Sequence, residues 1–369
     1  MSGAFAGGVS GEAAVALLRR MLEIPSPSCA EGELATYLLG AMTTLGLAAR
    51  LDQAGNVVGE TGRGQGPHIM LLSHLDTVPG QLPVRSAAGR LYGRGASDAK
   101  GPLAAMICAA AGAAGFPGRI SVIGAVEEEV PSARGAVAVR DSYPRPDACV
   151  IGEPSGGSAV VLGYKGKLDL RYSVQCPPAH PTSPGPKASE LVTDCWAALK
   201  EILGPADHTV FALPGVTLES LSGDTAQATA RIGVRMPPGF DADALLAKLR
   251  ERLEAGTLTV LGARSPCVME RRNPVVRALT AGIRRQSGRP PRLLIKTATS
   301  DMNTLAEVWD VPMASYGPGE SRLDHADDEH IVLDDYFQAI AVLSDALAGL
   351  ADLPARRPTP RSASDDRPR

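Results

Sequence analysis

The chain has 369 residues, 44% of them hydrophobic and 21% charged, with a formal net charge of −3. These values describe a globular protein of two, at most three, domains whose core is large enough to stand without disulfides. Aromatics at 4% argue against a base-stacking platform for single-stranded nucleic acid, and the mild acidity gives no global field for a polyanion.

In chain order, helix-like stretches cover about 11–23 and 31–45, the second stopping before Gly46. The apolar run Ile69 to Leu72 reads as a buried strand, Pro102 to Ala114 as a helix, and Ile120 to Val126 and Ala148 to Ile151 as further strands. Such alternation predicts an α/β layer with a largely parallel sheet. The middle is different. Leu168, Leu170, Tyr172 and Val174 alternate as in a half-exposed strand, and 187–203 places Leu191, Cys195, Leu199 and Ile202 on one helical face. Strands at 210–220 and 227–235 and a helix at 241–254, carrying Leu245, Leu246, Leu249 and Leu253, complete an α+β unit over 164–266. Helix–strand alternation resumes near 270 and ends in a helix at 335–350. The expected organisation is a discontinuous body, 1–163 and 267–352, with the unit 164–266 inserted. The stretch 353–369, with four Pro and five Arg, is expected to be a disordered tail.

Six cysteines, none in a CxxC pair, read as free thiols. No run of about 18 apolar residues occurs, and 1–10 lacks the basic and apolar regions of a secretion signal. A cytoplasmic protein is expected.

Acidic and imidazole residues fall where predicted strands end. Ile69–Leu72 runs into Ser73-His74-Leu75-Asp76, Ile120–Val126 into Glu127-Glu128-Glu129, and Ala148–Ile151 into Gly152-Glu153-Pro154. The loop Gly93 to Gly101 carries Asp98, and Leu323-Asp324-His325 lies near the C-terminus. Ligands of open α/β sheets bind outside the carboxyl ends of the strands. Oxygen and imidazole donors suit Zn²⁺ or a similar divalent ion. Clustered carboxylates repel unless cations neutralise them, and two metals sharing one carboxylate would hold a hydroxide between them. Gly93-Arg94-Gly95 lacks the third glycine of a dinucleotide fingerprint, and no GxSxG elbow occurs.

On these segments, SHLDTVP (73–79), GRGASDAKG (93–101), EEE (127–129), IGEP (151–154) and LDH (323–325), the chain resembles the dinuclear zinc amidohydrolases. That family includes acetylornithine deacetylase, succinyl-diaminopimelate desuccinylase and aminoacylase. The resemblance implies a zinc-exopeptidase-like α/β catalytic domain with a mostly parallel sheet, plus an inserted α+β lid that also dimerises. It implies two divalent ions, Zn²⁺ first and Co²⁺ as the alternative. His74, Asp98, Glu129, Glu153 and His325 would be the ligands, with Asp98 bridging. Asp76 would orient His74 and Glu128 would be the general base. Glu127 aligns with a family Asp, so 128/129 is the chosen base–ligand register and 127/128 the fallback. In the lid, His180 would reach the partner subunit's site, and Arg235 would contact substrate anions.

A narrower resemblance lies in GAVEEEVPSARGA (124–136), KTATSDMN (296–303) and YGPGESRLDHADDEH (316–330). These segments are similar to hydrolases that release lysine or ornithine from the C-terminal glutamate side chain of an acidic amino-group carrier protein, in lysine or arginine biosynthesis. Thr299 and Lys165 join Arg235 as expected substrate contacts. Residues 271–296 hold eight basic side chains and no acidic one, a surface suited to an acidic partner. The competing readings are a small-molecule deacylase acting on N-acetylornithine or N-succinyl-diaminopimelate, a general aminoacylase or dipeptidase, and a non-catalytic binding protein. Neither nucleic acid nor membrane is expected as a partner.

Overall fold

The structure, a computed structural model, describes residues 8–178, 180 and 182–356. The expected tail therefore lies, from 357 onward, outside the described residues.

The central strands form because short apolar runs such as 69–72 and 120–125 can be buried on both faces. His68–His74 pairs in parallel with Arg119–Ala125 on one side and Ala148–Ile151 on the other, and Met313–Ser315 pairs in parallel with Ala148–Ile151. Antiparallel strands extend this core: Val57–Thr61 and Ala48–Leu51 beyond Arg119–Ala125, and Ala159–Tyr164 beyond Met313–Ser315. Nine strands make up the mixed sheet. Period-two alternation sorts its side chains. Ile69, Leu71, Val122 and Val150 face a core built with the helices Gly11–Glu23, Gly32–Thr44, Lys100–Ala111, Pro274–Ser287 and Leu333–Leu350. Met70, Leu72, Ile123 and Ile151 face the other way, against Val139, Met302, Leu305 and Trp309.

His68–His74 is the switch point. The chain leaves it through Lys100–Ala111 to the strand on one side, then crosses through Arg134–Ser142 to the strand on the other. The carboxyl ends of these neighbouring strands deliver His74, Glu127–Glu129 and Glu153 to one rim.

A separate four-stranded antiparallel sheet runs in the order Gly215–Gly223, Gln227–Met236, Gly166–Gln175, Thr257–Arg264. The helices Ala188–Leu203 and Ala242–Arg252 cover one face, where Leu168, Leu170 and Tyr172 meet Leu191, Leu199 and Leu249. The strand expected at 210–220 begins only at Gly215. The preceding loop is held differently: the Asp207 carboxylate accepts from the Thr209 amide at 2.7 Å, and Lys165 Nζ donates to the Leu213 carbonyl at 2.6 Å. The short strands Ala48–Leu51, Val57–Thr61, Arg85–Ala87 and Arg90–Tyr92 were not expected. At three to five residues each, they carry too little periodicity to be seen.

At the start of the central strand, His68 is locked as a neutral imidazole. Arg119 donates to Nδ1 at 3.1 Å, and Nε2 lies 2.9 Å from Ser121 Oγ. Burial, reinforced by the Arg119 charge, pushes its pKa down from 6.5 to about 4. Between those values the unfolded chain takes up a proton that the folded chain refuses, so stability falls as pH falls. Urea denaturation at pH 7 and pH 5 should show an acid loss of up to about 2 kcal/mol from this group in the wild type. His68→Gln should show a smaller loss over the same interval.

Candidate metal centre

His74 closes its strand with a side chain only 1% exposed. Its Nδ1 lies 2.9 Å from the Asp76 main-chain carbonyl, and its Nε2 lies 3.1 Å from Asp98 Oδ1. Both the backbone and the carboxylate of Asp76, the residue expected to orient His74, face Nδ1. The nearest acceptor is the Asp76 backbone, while Oδ1 stands 3.5 Å from Nδ1. The carboxylate is engaged by the Glu128 and Glu129 amides, each at 3.0 Å, and by Ser28 Oγ at 2.7 Å. Asp76 therefore fixes the backbone of the acidic segment against the strand that carries His74.

Asp98 sits on a loop wrapped around another carboxylate. Glu329 accepts from the Ser97 amide at 2.9 Å, the Asp98 amide at 3.2 Å and Arg94 Nη1 at 3.0 Å. Arg94 also donates to the Gly80 and Ala326 carbonyls. So held, the Asp98 carboxylate lies between two imidazoles, with His325 Nε2 3.4 Å away on the side opposite His74's contact atom. His325 adopts φ +64° and places the same nitrogen 2.9 Å from Glu129 Oε1. Glu153 is buried beside them, and the following Pro154 carbonyl accepts from Lys296 Nζ at 2.6 Å.

Of these, Asp98, Glu129, Glu153, Lys296 and His325 line one cavity of about 570 Å³, and His74 touches it through Asp98. Asp98, Glu128, Glu129, Glu153, Asp301 and Asp324 all contribute carboxylates to its wall. Burial pushes the Glu128 and Glu153 carboxyls well up, and like charge from neighbouring acids adds to it. Burial lifts Asp301 and Asp324 to about 7. Asp98 goes the other way: burial raises it, but hydrogen bonds from His325 and His74 outweigh that and hold it well below the usual range. Contacts with Asp98 and Glu129 raise His325 to about 10. Both carboxylate oxygens of buried Asp301 lack a hydrogen-bond partner among the described residues. Ligand atoms of His74, Asp98 and Glu129 lie within 4.8 Å of one another. An acid-rich, imidazole-bearing pocket of this kind fits divalent cations by donor chemistry and by charge.

Arg235 and Thr299 meet across the cavity, Nη1 to Oγ1 at 2.6 Å. Glu127 turns away to Arg134 at 2.7 Å and Ser132 at 2.8 Å. Lys165 does not line the cavity. Its ammonium donates to the Asp207 and Leu213 carbonyls, because the residue sits at the bend where its strand begins. His180 does not line it either and lies 2.8 Å from Thr182 Oγ1; the adjoining Ala179 and Pro181 are outside the described residues.

Several cavity residues were not anticipated: Lys167 and Asp169, paired at 2.9 Å, with Lys296, Asp301 and Thr209. Nor was the Arg94–Glu329 pair, whose side chains are 7% and 1% exposed. Glu329→Ala would leave a buried guanidinium without its carboxylate. We expect a loss of about 3–5 kcal/mol, read as a lowered denaturation midpoint.

Comparison with known proteins agrees with this geometry. The family described as Peptidase family M20/M25/M40 matches residues 70–349. A Deinococcus radiodurans protein named LysW-lysine hydrolase is 42% identical, over 92% of this chain and 97% of its own length. A Thermococcus kodakarensis protein, provisionally named LysW-lysine/LysW-ornithine hydrolase, is 37% identical, over 93% of each chain. Among solved structures, an M20 family metallo-carboxypeptidase from Sulfolobus solfataricus shares the fold. Its TM-score is 0.79 at 18% identity, covering 92% of this chain and 99% of that one. A profile match over most of the chain, with relatives above 30% identity along nearly their whole length, establishes that the chain belongs to peptidase family M20/M25/M40.

Proposed function

We propose that this protein is a divalent-metal-dependent amide hydrolase that releases L-lysine, or L-ornithine, from the side chain of the C-terminal glutamate of a small acidic carrier protein. The observation that carries the chemistry is the largely buried Asp98 carboxylate held between His74 and His325 on the wall of an acid-lined cavity. The substrate follows from the relatives, whose names specify LysW-lysine and LysW-ornithine.

In this reading His74, Asp98, Glu129, Glu153 and His325 would hold two divalent ions. Zn²⁺ is the ion we assign, with Co²⁺ as the alternative. When bound, such ions polarise an amide carbonyl and make water more acidic. Glu128 takes the proton of the attacking water and passes it to the departing α-amine. The engagement of Glu127 by Arg134 supports the 128/129 register. Arg235 and Thr299 hold a substrate carboxylate. The unit 164–266 is a lid on the body 1–163 and 267–352, and it joins two copies into a homodimer in which His180 serves the partner's site. Among the described residues, no helix is long and apolar enough to cross a membrane.

Glu128→Gln should lower turnover by about 10²–10⁴-fold while metal content stays unchanged, and Glu127→Gln should stay near wild type. The reverse ranking would move the register by one. Incubation with a carrier bearing C-terminal γ-glutamyl-lysine should release free lysine. Release from N-acetylornithine alone would replace the carrier by a small substrate.

A further inference from the structure

The strand Arg292–Lys296 pairs in parallel with Ala159–Tyr164 and, among the described residues, with no other strand. It is therefore a sheet edge, with one row of amides and carbonyls left unpaired. Such an edge is a template for another extended chain. Its parity can be read from one contact. The Lys296 carbonyl accepts from the Lys165 amide at 3.1 Å and so points inward; the register slips between Leu294 and Lys296 by one extra residue on the partner strand, so alternation along Arg292–Lys296 itself still turns the Ile295 backbone outward. The Ile295 side chain is 43% exposed.

This edge leads into the catalytic cavity. Ile295 and every residue after it through Asp301 line the cavity wall, including Thr299. Arg289 and Arg292 are exposed near the strand's start and Lys296 stands at its end, in a stretch without an acidic residue. An extended acidic peptide would find unpaired backbone groups along the strand and opposite charge at both ends. The strand's carboxyl end lies at the cavity. A chain that ends inside the cavity must run in the same direction.

We infer that Arg292–Lys296 is the docking edge for the acidic C-terminal segment of the carrier, which adds to it as a parallel strand and so delivers its terminal glutamate to the cavity. This rests on the carrier reading proposed above.

The test uses the wild-type enzyme and synthetic acidic peptides ending in glutamate with lysine on its γ-carboxyl. Two peptide sets carry backbone N-methyl groups on alternate residues, one set out of phase with the other. A strand pairs through every second amide. One set should therefore lose about tenfold or more in kcat/KM, the effect of two lost hydrogen bonds, while the other stays near the unmethylated peptide. Equal loss in both sets, or loss in neither, overturns strand addition and leaves the carrier reading standing. Failure to release lysine from any peptide, with release from N-acetylornithine, overturns both. If a second copy of the chain occupied the edge, the methylation phase would have no effect, and the inference would fail by the same readout.

Discussion

Carboxylates crowded into one cavity repel one another, and this protein crowds seven of them around a single site. The rest of the molecule is arranged about that constraint. Parallel strands end side by side, so their carboxyl termini bring His74, the Glu127–Glu129 segment and Glu153 to one rim. Two imidazoles then take hold of Asp98, the one member of the group whose carboxyl is held well below its ordinary range. Burial pushes Glu128, Glu153, Asp301 and Asp324 the other way, and the Asp301 carboxylate has no hydrogen-bond partner among the described residues. Cations resolve such an arrangement, and the residue types present are those that bind them.

Holding these groups in place falls to residues that touch neither metal nor substrate in the proposed reaction. Asp76 fixes the Glu128–Glu129 backbone through two amides. Glu329, clamped by Arg94, fixes the Asp98 loop through two more. Asn303 donates to the Lys165 and Ser265 carbonyls, tying together the strands by which the chain enters and leaves the four-stranded unit. The same unit presents Arg235 to Thr299. Cavity floor and cavity roof are thus joined by a small number of buried polar contacts.

Much of this was legible in the sequence, for a physical reason. His74, Glu129 and Glu153 each follow a buried strand, and apolar runs ending in charged residues can be read without a structure. Asp98 and His325 stood in recognisable segments. The Arg94–Glu329 pair was not legible because it joins residues 235 positions apart, and neither residue is unusual locally. Lys167 and Asp169 were missed because the alternation of Leu168, Leu170 and Tyr172 marks them only as lying on the opposite face. Nothing in that pattern says that the opposite face looks into a cavity. Lys165 donates to two loop carbonyls far along the chain, contacts that no local pattern announces.

The central claim is that the acid cluster around Asp98 is a cation site that the reaction requires. Its most direct test is metal stoichiometry in protein stripped by chelation and titrated with Zn²⁺, with amide hydrolysis followed in parallel. The account predicts two ions per wild-type chain, activity that returns with them, and a loss of both on Asp98→Asn. Stripped protein that binds no divalent ion and still hydrolyses its amide substrate at the full rate would contradict it.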